Sequence, residues 1–177
     1  MTKTFLVAPI LGAALLALAA CQTDQRAGTT EQAGAAPAQS EANAVFFEAA
    51  GTLGLAEVRF AQLAEAKAAN PAVRSFAAKM NTDQTMVNEQ LAALAQSKGV
   101  APPSNMDGAH EGAYQQLQSL SGPAFDRAYV AGQLQDTTMM IQAFRAEADS
   151  GKDPQVRSFA QQYLPMMQQR LQMALAI

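Results

Sequence analysis

A chain of 177 residues has enough material for one domain of ordinary size built around a single core. Its apolar fraction of 49% is carried largely by alanine, and its charged fraction of 15% falls below the roughly 25% of a typical soluble chain, a balance that suits close-packed helices with Ala and Gln surfaces. The formal net charge is -3 and no basic run is present, which excludes phosphate-tracking nucleic-acid binding.

At the N-terminus Lys3 precedes an apolar run from Phe5 to Ala20 and the small-residue approach Leu18-Ala19-Ala20. A charged start, a short apolar stretch and small residues before a cut describe a secretory signal over residues 1–20. Sixteen apolar residues fall short of the about 20 that a membrane-spanning helix needs. The Leu-Ala-Ala-Cys ending resembles the lipobox of bacterial lipoproteins, which implies that Cys21 is acylated, becomes the mature N-terminus and anchors the chain to a membrane. Cys21 is the single cysteine and has no intramolecular disulfide partner. Gln22 stands where an Asp marks inner-membrane retention in proteobacterial lipoproteins, so the same resemblance implies the outer membrane, with the domain in the periplasm. Loss of the signal removes Lys3 and leaves 11 basic against 15 acidic side chains, a net charge of -4.

Residues 21–41 are rich in Gln, Ala, Gly, Thr and Ser, include Pro37 and show no apolar period. They read as a flexible tether with a mean reach of about 25 Å. From residue 42 to 177 the pattern is helical. Phe46, Ala50, Leu53, Glu57, Phe60 and Ala64 recur at three- and four-residue steps on one face, with Gly51 and Gly54 weakening the first half.

An eight-residue stretch then organises the rest. Asn70-Pro71-Ala72-Val73-Arg74-Ser75-Phe76-Ala77 returns as Asp153-Pro154-Gln155-Val156-Arg157-Ser158-Phe159-Ala160, with six of eight positions identical. Each copy reads as a helix start, with a capping side chain and proline at the first helical position. The second helix carries Val73, Phe76, Met80, Gln84, Val87, Leu91 and Leu94 inward and ends at Gly99, a left-handed cap. Pro102 and Pro103 break the chain, and a long link to Gly122 holds a short helix around Glu111–Leu120. A third long helix runs from Pro123 to Ser150 with Val130, Leu134, Thr137, Ile141 and Phe144 in line. The fourth aligns Val156, Phe159, Tyr163, Met167, Arg170 and Ala174, with Pro165 expected to bend it. Arg74 and Arg157 occupy matching places, within expected reach of Glu65 and Glu147. The reading is an all-α antiparallel four-helix bundle of two duplicated hairpins joined by a long crossover.

One polar side chain interrupts each inner stripe: Glu57, Gln84, Thr137 and Arg170. Bundles build cofactor sites from such positions, but di-iron bundles use several carboxylates with Glu-x-x-His, a motif that no long helix has here. The expected arrangement is a structural pair, Glu57 with Arg170, flanked by two neutral groups, with no metal and no cofactor. The single histidine, His110, reads as a solvated loop residue beside Glu111. Ser75 and Ser158 lack a histidine to activate them, so no nucleophile is identified. Met80, Met86, Met139, Met140, Met166, Met167 and Met173 offer a second reading as thioether ligands for Cu(I), against the ordinary use of Met to fill gaps between Ala-rich helices.

Glu57 after Leu55-Ala56, Asn70-Pro71 through Met80, Thr82-Asp83, Phe125-Asp126-Arg127-Ala128-Tyr129, Lys152-Asp153-Pro154 and Leu164-Pro165 together resemble a family of bacterial envelope proteins over roughly residues 42–176. That family is a domain of unknown function placed with the ferritin-like bundles and often labelled outer-membrane protein. The resemblance implies histidines after the Thr-Asp pair, after the Asp of the third long helix and five residues after Leu-Pro. Those positions hold Gln84, Thr137 and Arg170, while Glu57, Asp83 and Asp136 remain. The expected function is a non-enzymatic, lipid-anchored envelope protein acting as a structural or interaction module, with its protein partner unspecified. The alternative is a periplasmic ferritin-like protein that binds iron or copper.

Overall fold

Two of the helices start where a short polar side chain meets proline. Asn70 Oδ1 accepts the Ala72 N–H at 2.8 Å, and Asp153 Oδ1 accepts those of Gln155 and Val156 at 2.9 and 3.3 Å. Pro71 and Pro154 fill the first helical position in both cases, where a missing donor costs nothing. The computed structural model describes residues 32–177, with side chains from Glu41 onward. The signal segment, Cys21 and the tether as far as residue 31 lie outside the described residues.

Five helices follow in order: α1 Gln32–Lys67, α2 Pro71–Ser97, α3 Gly108–Ser119, α4 Gly122–Ser150 and α5 Pro154–Leu175. No strand occurs among the described residues. α1 begins at Gln32, ten residues ahead of the expected start at Ala42. Ala and Gln suit a linker but are also good helix formers, and the second half of the expected tether is helical although it holds Gly34 and Pro37. α5 continues through Pro165. α2 ends in paired bonds, Gly99 N–H to Gln96 O at 3.0 Å and Val100 N–H to Ala95 O at 2.9 Å, with Gly99 at a φ of 72°. A Cβ would strain that left-handed turn, as it would at Gly122 with its φ of 56°.

α1 pairs with α2, and α4 with α5; α1 also packs on α4 and α2 on α5. The core falls into two apolar clusters. One gathers Phe46 and Leu53 of α1, Val87 and Leu91 of α2, Met140 and Phe144 of α4, and Phe159 and Met167 of α5. The other gathers Phe60 of α1, Val73, Phe76 and Met80 of α2, Leu117 of α3, Phe125 and Tyr129 of α4, and Ala174 of α5. Each buried Phe contributes roughly 1.5–3 kcal/mol over an exposed one. Because α2 ends in the first cluster and α4 starts in the second, the link between them, with α3, runs the length of the bundle. α3 rests on α1 and α4 along the way.

Matching arginines close both hairpins, by a contact other than the expected one. Arg74 donates to the Ala68 carbonyl at 2.6 Å and Arg157 to the Gly151 carbonyl at 2.8 Å. The carboxylates of Glu65 and Glu147 are not their hydrogen-bond partners; Glu65 accepts from Asn81 at 2.7 Å. A helix C-terminus offers unpaired carbonyls and a negative dipole end, which hold a guanidinium without ordering a second flexible side chain.

The turn between α1 and α2 is held from across the bundle. Asp126 of α4 is buried, and its two carboxylate oxygens accept the N–H groups of Ala69 and Asn70 at 3.0 and 2.8 Å. At the opposite end Lys98, after α2, pairs with Asp153 at 2.6 Å, tying the first hairpin to the second turn. Asp126→Ala leaves two backbone donors without their acceptor and is expected to cost about 2–4 kcal/mol, since hydrogen bonds to charged groups contribute about 1.5–3 kcal/mol. Urea unfolding at neutral pH checks this, and a loss below about 0.5 kcal/mol shows the clamp to be incidental.

Candidate functional site

Where the two apolar clusters meet, each long helix turns a polar side chain inward. Glu57 on α1, Gln84 on α2, Thr137 on α4 and Arg170 on α5 are all buried, Glu57 to 1% exposure and Arg170 to 2%. The stripes of α1, α2 and α5 carry three of them at helical spacing from buried neighbours. Arg170 Nη1 donates to Gln84 Oε1 and lies 3.8 Å from Glu57 Oε2, facing the carboxylate without a hydrogen bond to it. Its Nη2 reaches Met166 Sδ at 3.4 Å. Gln84 in turn donates to Asn88 at 2.9 Å.

A glycine makes this contact possible. A Cβ at Gly54 would lie 2.7 Å from Gln84 Nε2 and would also collide with the Asn88 side chain, so α1 can approach α2 closely only where no side chain projects. Gly51 does the same for the link after α2, where a Cβ would meet Pro103 at 2.6 Å. Glycines that weaken α1 as an isolated helix are therefore used for close packing.

The inward face of α4 differs from the expected stripe. Tyr129, Gln133, Asp136 and Thr137 are buried, whereas Val130 and Leu134 are only partly buried and line a groove with Ile177 at the second cluster's end. An apolar count favours Val130 and Leu134, but in the first half of α4 the inward line runs through Phe125, Tyr129 and Gln133, while Thr137, Ile141 and Phe144 of the expected stripe are buried. Buried Gln133 is the residue that sequence reasoning missed, and its four-residue spacing from Tyr129 and Thr137 was the available signal.

His110 is the clearest correction. It sits in the first turn of α3, its side chain 15% exposed, and is not a solvated loop residue. Asp107 caps α3 by accepting the His110 N–H at 2.9 Å and also contacts the ring Nδ1 at 2.8 Å. This grip turns Nε2 toward α4, 3.6 Å from Asp136 Oδ1, and places the ring 6.3 Å from that of Phe60. Further along α3, Arg59 pairs with Glu111 at 2.9 Å and lies over the Tyr114 ring, which seats the helix over α1.

Burial dominates the electrostatics. The Glu57 carboxyl is pushed up to about 7 chiefly by removal from water, with Arg170 pulling it down, Asp136 pushing it up and His110 pulling it down. Burial likewise raises Asp136, against the pull of His110, and lowers Arg170, against the pull of Glu57 and Asp83. Several polar atoms here have no protein partner: Glu57 Oε2, Gln133 Oε1, Thr137 Oγ1, Arg170 Nε and, toward the second cluster, the Tyr129 hydroxyl.

This donor set does not fit the metal of a di-iron or zinc bundle. The sites use convergent carboxylates and neutral imidazoles, and a guanidinium with no acceptor atom occupies the middle of this one. No group of three or more His, Cys, Asp or Glu suited to a metal ion occurs among the described residues. The methionines form no common site either. Met80 lies in one cluster, Met140 and Met167 in the other, Met166 is taken by Arg170, and Met86 and Met139 are exposed. Most of them fill core space, as unbranched side chains do between Ala-rich helices.

Compared with known proteins, residues 28–177 match the family described as Domain of unknown function (DUF4142). The structure is similar to the crystal structure of a conserved hypothetical protein from Mycobacterium tuberculosis, with a TM-score of 0.58 at 15% identity, covering 78% of this chain and 89% of that one. At that identity the likeness is one of fold. No curated protein matches the chain.

The raised Glu57 fixes a pH dependence. A carboxyl whose folded value lies near 7 rather than 4.5 adds no penalty below pH 4.5, where folded and unfolded chains both carry the proton. As pH rises toward 7 the unfolded chain releases that proton first, so stability falls, and above 7 the full penalty, on the order of 3 kcal/mol, is present. Glu57→Gln removes this titration. Its stability relative to the native protein is expected to rise across the pH 4.5–7 window, read by urea unfolding at several pH values; a difference that does not change with pH places the titration elsewhere.

Proposed function

This chain belongs to the DUF4142 family, and we propose that it is a lipid-anchored envelope protein whose ferritin-like four-helix bundle works as a structural or interaction module. The single observation that carries the reading is the buried Arg170 guanidinium, bonded to Gln84 and facing Glu57 at the meeting point of the four long helices. A fixed positive charge at that point, 3.8 Å from Glu57 Oε2, repels a cation from the carboxylate that would otherwise bind one. The pairings α1 with α2, α4 with α5, α1 with α4 and α2 with α5 support the ferritin-like arrangement, with the α3 link as its crossover.

Anchoring rests on the Leu-Ala-Ala-Cys21 ending. Among the described residues no helix is long and apolar enough to cross a membrane, and acylation of Cys21 supplies an attachment that the folded part does not need to provide. A second acyl chain gives stable anchoring where one alone is marginal. The chain beyond the signal is acidic, with a net charge of -4, and this disfavours direct adsorption to anionic headgroups.

Two readouts test the proposal on protein purified from its own membrane. The intact mass is expected to show acylation at Cys21, and Cys21→Ser is expected to move the protein into the soluble periplasmic fraction. After equilibration with iron, zinc and copper salts, elemental analysis is expected to find far less than one metal per chain. A Cys21→Ser protein that still sediments with the outer membrane contradicts the anchor. Stoichiometric metal that disappears in Glu57→Leu contradicts the module and supports the metal-binding alternative.

A further inference from the structure

The single histidine of the chain stands between two carboxylates. Asp107 Oδ2 lies 2.8 Å from His110 Nδ1, and Asp136 Oδ1 lies 3.6 Å from Nε2. Asp107 is half exposed and is held below the usual carboxylate range, first by the His110 backbone N–H and also by the ring, against the effect of burial. It therefore faces the ring as an anion. An anion needs a donor, so Nδ1 carries a hydrogen in either charge state of the imidazole. Nε2 then ends in an N–H when the ring is charged and in a lone pair when it is neutral. Asp136 is buried and, when ionised, has acceptors alone, so a lone pair facing it is repelled. One proton between Nε2 and Asp136 turns that repulsion into attraction, whichever of the two carries it.

The rest of α3 is fastened by the Phe60–Tyr114 stack, the buried Leu117 side chain and a Lys67 ammonium that donates to the Gln118 carbonyl. Its first turn has weaker holds. Arg59–Glu111 is an exposed pair, of a kind that contributes about 0–1 kcal/mol, and Met106 just ahead of the helix is only partly buried. Gly112 weakens a helix interior by about 1 kcal/mol against Ala. A Cβ there would meet no atom within 4 Å, so close packing does not require this glycine. A groove of about 300 Å³ between α1 and α4 has Asp107 and His110 in its wall, and through it the ring exchanges protons with solvent.

We propose that His110 and Asp136 form a pH-sensitive latch: one proton held between them fastens the first turn of α3 to α4, and its loss as pH rises frees that turn and opens the buried Asp136 to water. The charges around the ring favour the protonated, closed form. On α3 they are Asp107 and Glu111, and on α4 Asp136. α1 brings Glu48 from the groove wall, Arg59 already tied to Glu111, and Glu57, whose carboxyl is coupled to both Asp136 and His110. α5 adds Arg170, which faces Glu57. Acidic side chains outnumber basic ones, and both guanidiniums are engaged. Loss of the proton falls in the range where imidazole titrates, about pH 5 to 8, so the first turn is docked most firmly at the acid end and loosens toward the alkaline end. Glu57, with its value of about 7, ionises over the same range but acts on the whole bundle. The latch is independent of the anchor and of whether the Arg170 centre binds metal.

The test follows the untagged full chain in nonionic detergent by NMR at about pH 5 and about pH 9, either side of the imidazole range. With a single histidine, the ring nitrogen shifts report its charge and tautomer without overlap. The neutral ring is expected to carry its hydrogen on Nδ1. Hydrogen-exchange protection of the Glu111, Gly112 and Ala113 amides, corrected for intrinsic exchange, is expected to fall about fivefold relative to α2 and α5 as pH rises, the weight of one hydrogen bond. Asp136→Asn, whose amide donates to Nε2 at every pH, is expected to abolish that fall, and Glu57→Gln to keep it. The proposal is overturned if the neutral ring carries its hydrogen on Nε2 or if the three amides change only in step with α2 and α5. It is equally overturned if Asp136→Asn keeps the fall or Glu57→Gln abolishes it. Should Asp136→Asn fail to fold, the tautomer and the Glu57→Gln comparison still decide.

Discussion

A guanidinium cannot shed its charge to suit a buried position, and Arg170 is buried among four helices with one hydrogen-bonded oxygen, one thioether and one carboxylate around it. Removing such a charge from water costs several kcal/mol, so the neighbouring elements must return acceptors and negative charge at that depth. Gln84 does so only because Gly54 lets α2 come close to α1. Glu57 does so only in part, because the same burial pushes its own carboxyl to about 7. The result is a polar layer between two apolar clusters, in which one member is permanently charged and its partner changes charge near neutrality.

That layer constrains the bundle more by position than by energy. Apolar side chains of similar size would often be as stable or more so, but Leu at these places would let the helices slide past one another by a turn without an obvious penalty. A polar group on each helix, set between apolar neighbours, selects one register, as buried polar residues do in coiled coils. The ends of the bundle repeat the logic. Asp126 reaches across to cap the first hairpin's turn and Lys98 to hold the second's, so each hairpin is finished by a group from the other.

Much of this was legible in the sequence because helical periodicity survives a polar interruption. The inward faces of α1, α2 and α5 follow directly from spacings of three and four, and the Asn70-Pro71 and Asp153-Pro154 starts follow from capping chemistry. Four features were not legible, each for a physical reason. Gln32 to Ser40 has an Ala-rich composition that serves a linker and a helix equally well. The first half of the α4 face runs through Tyr129 and Gln133, although Val130 and Leu134 advertise burial more strongly than Gln133 does. The polar neighbours of His110 in sequence point to a solvated loop, whereas its position depends on Asp136, far along the chain, and on the Asp107 cap. Partner choice for arginines was also illegible, since a carbonyl at a helix end competes with any carboxylate nearby.

A double-mutant cycle on the polar layer is the most direct measurement. Native protein, Glu57→Leu, Arg170→Leu and the double variant would be unfolded in urea at pH 8, where Glu57 with its value of about 7 is mainly ionised. Glu57→Leu strands a charge that has no neutral form and is expected to cost about 3–5 kcal/mol. Arg170→Leu is expected to cost less, because the carboxyl left behind can take up a proton. The double variant should be more stable than Glu57→Leu alone. Losses that simply add, within about 0.5 kcal/mol, would show that the two side chains do not sense each other and would contradict the central role given to the pair.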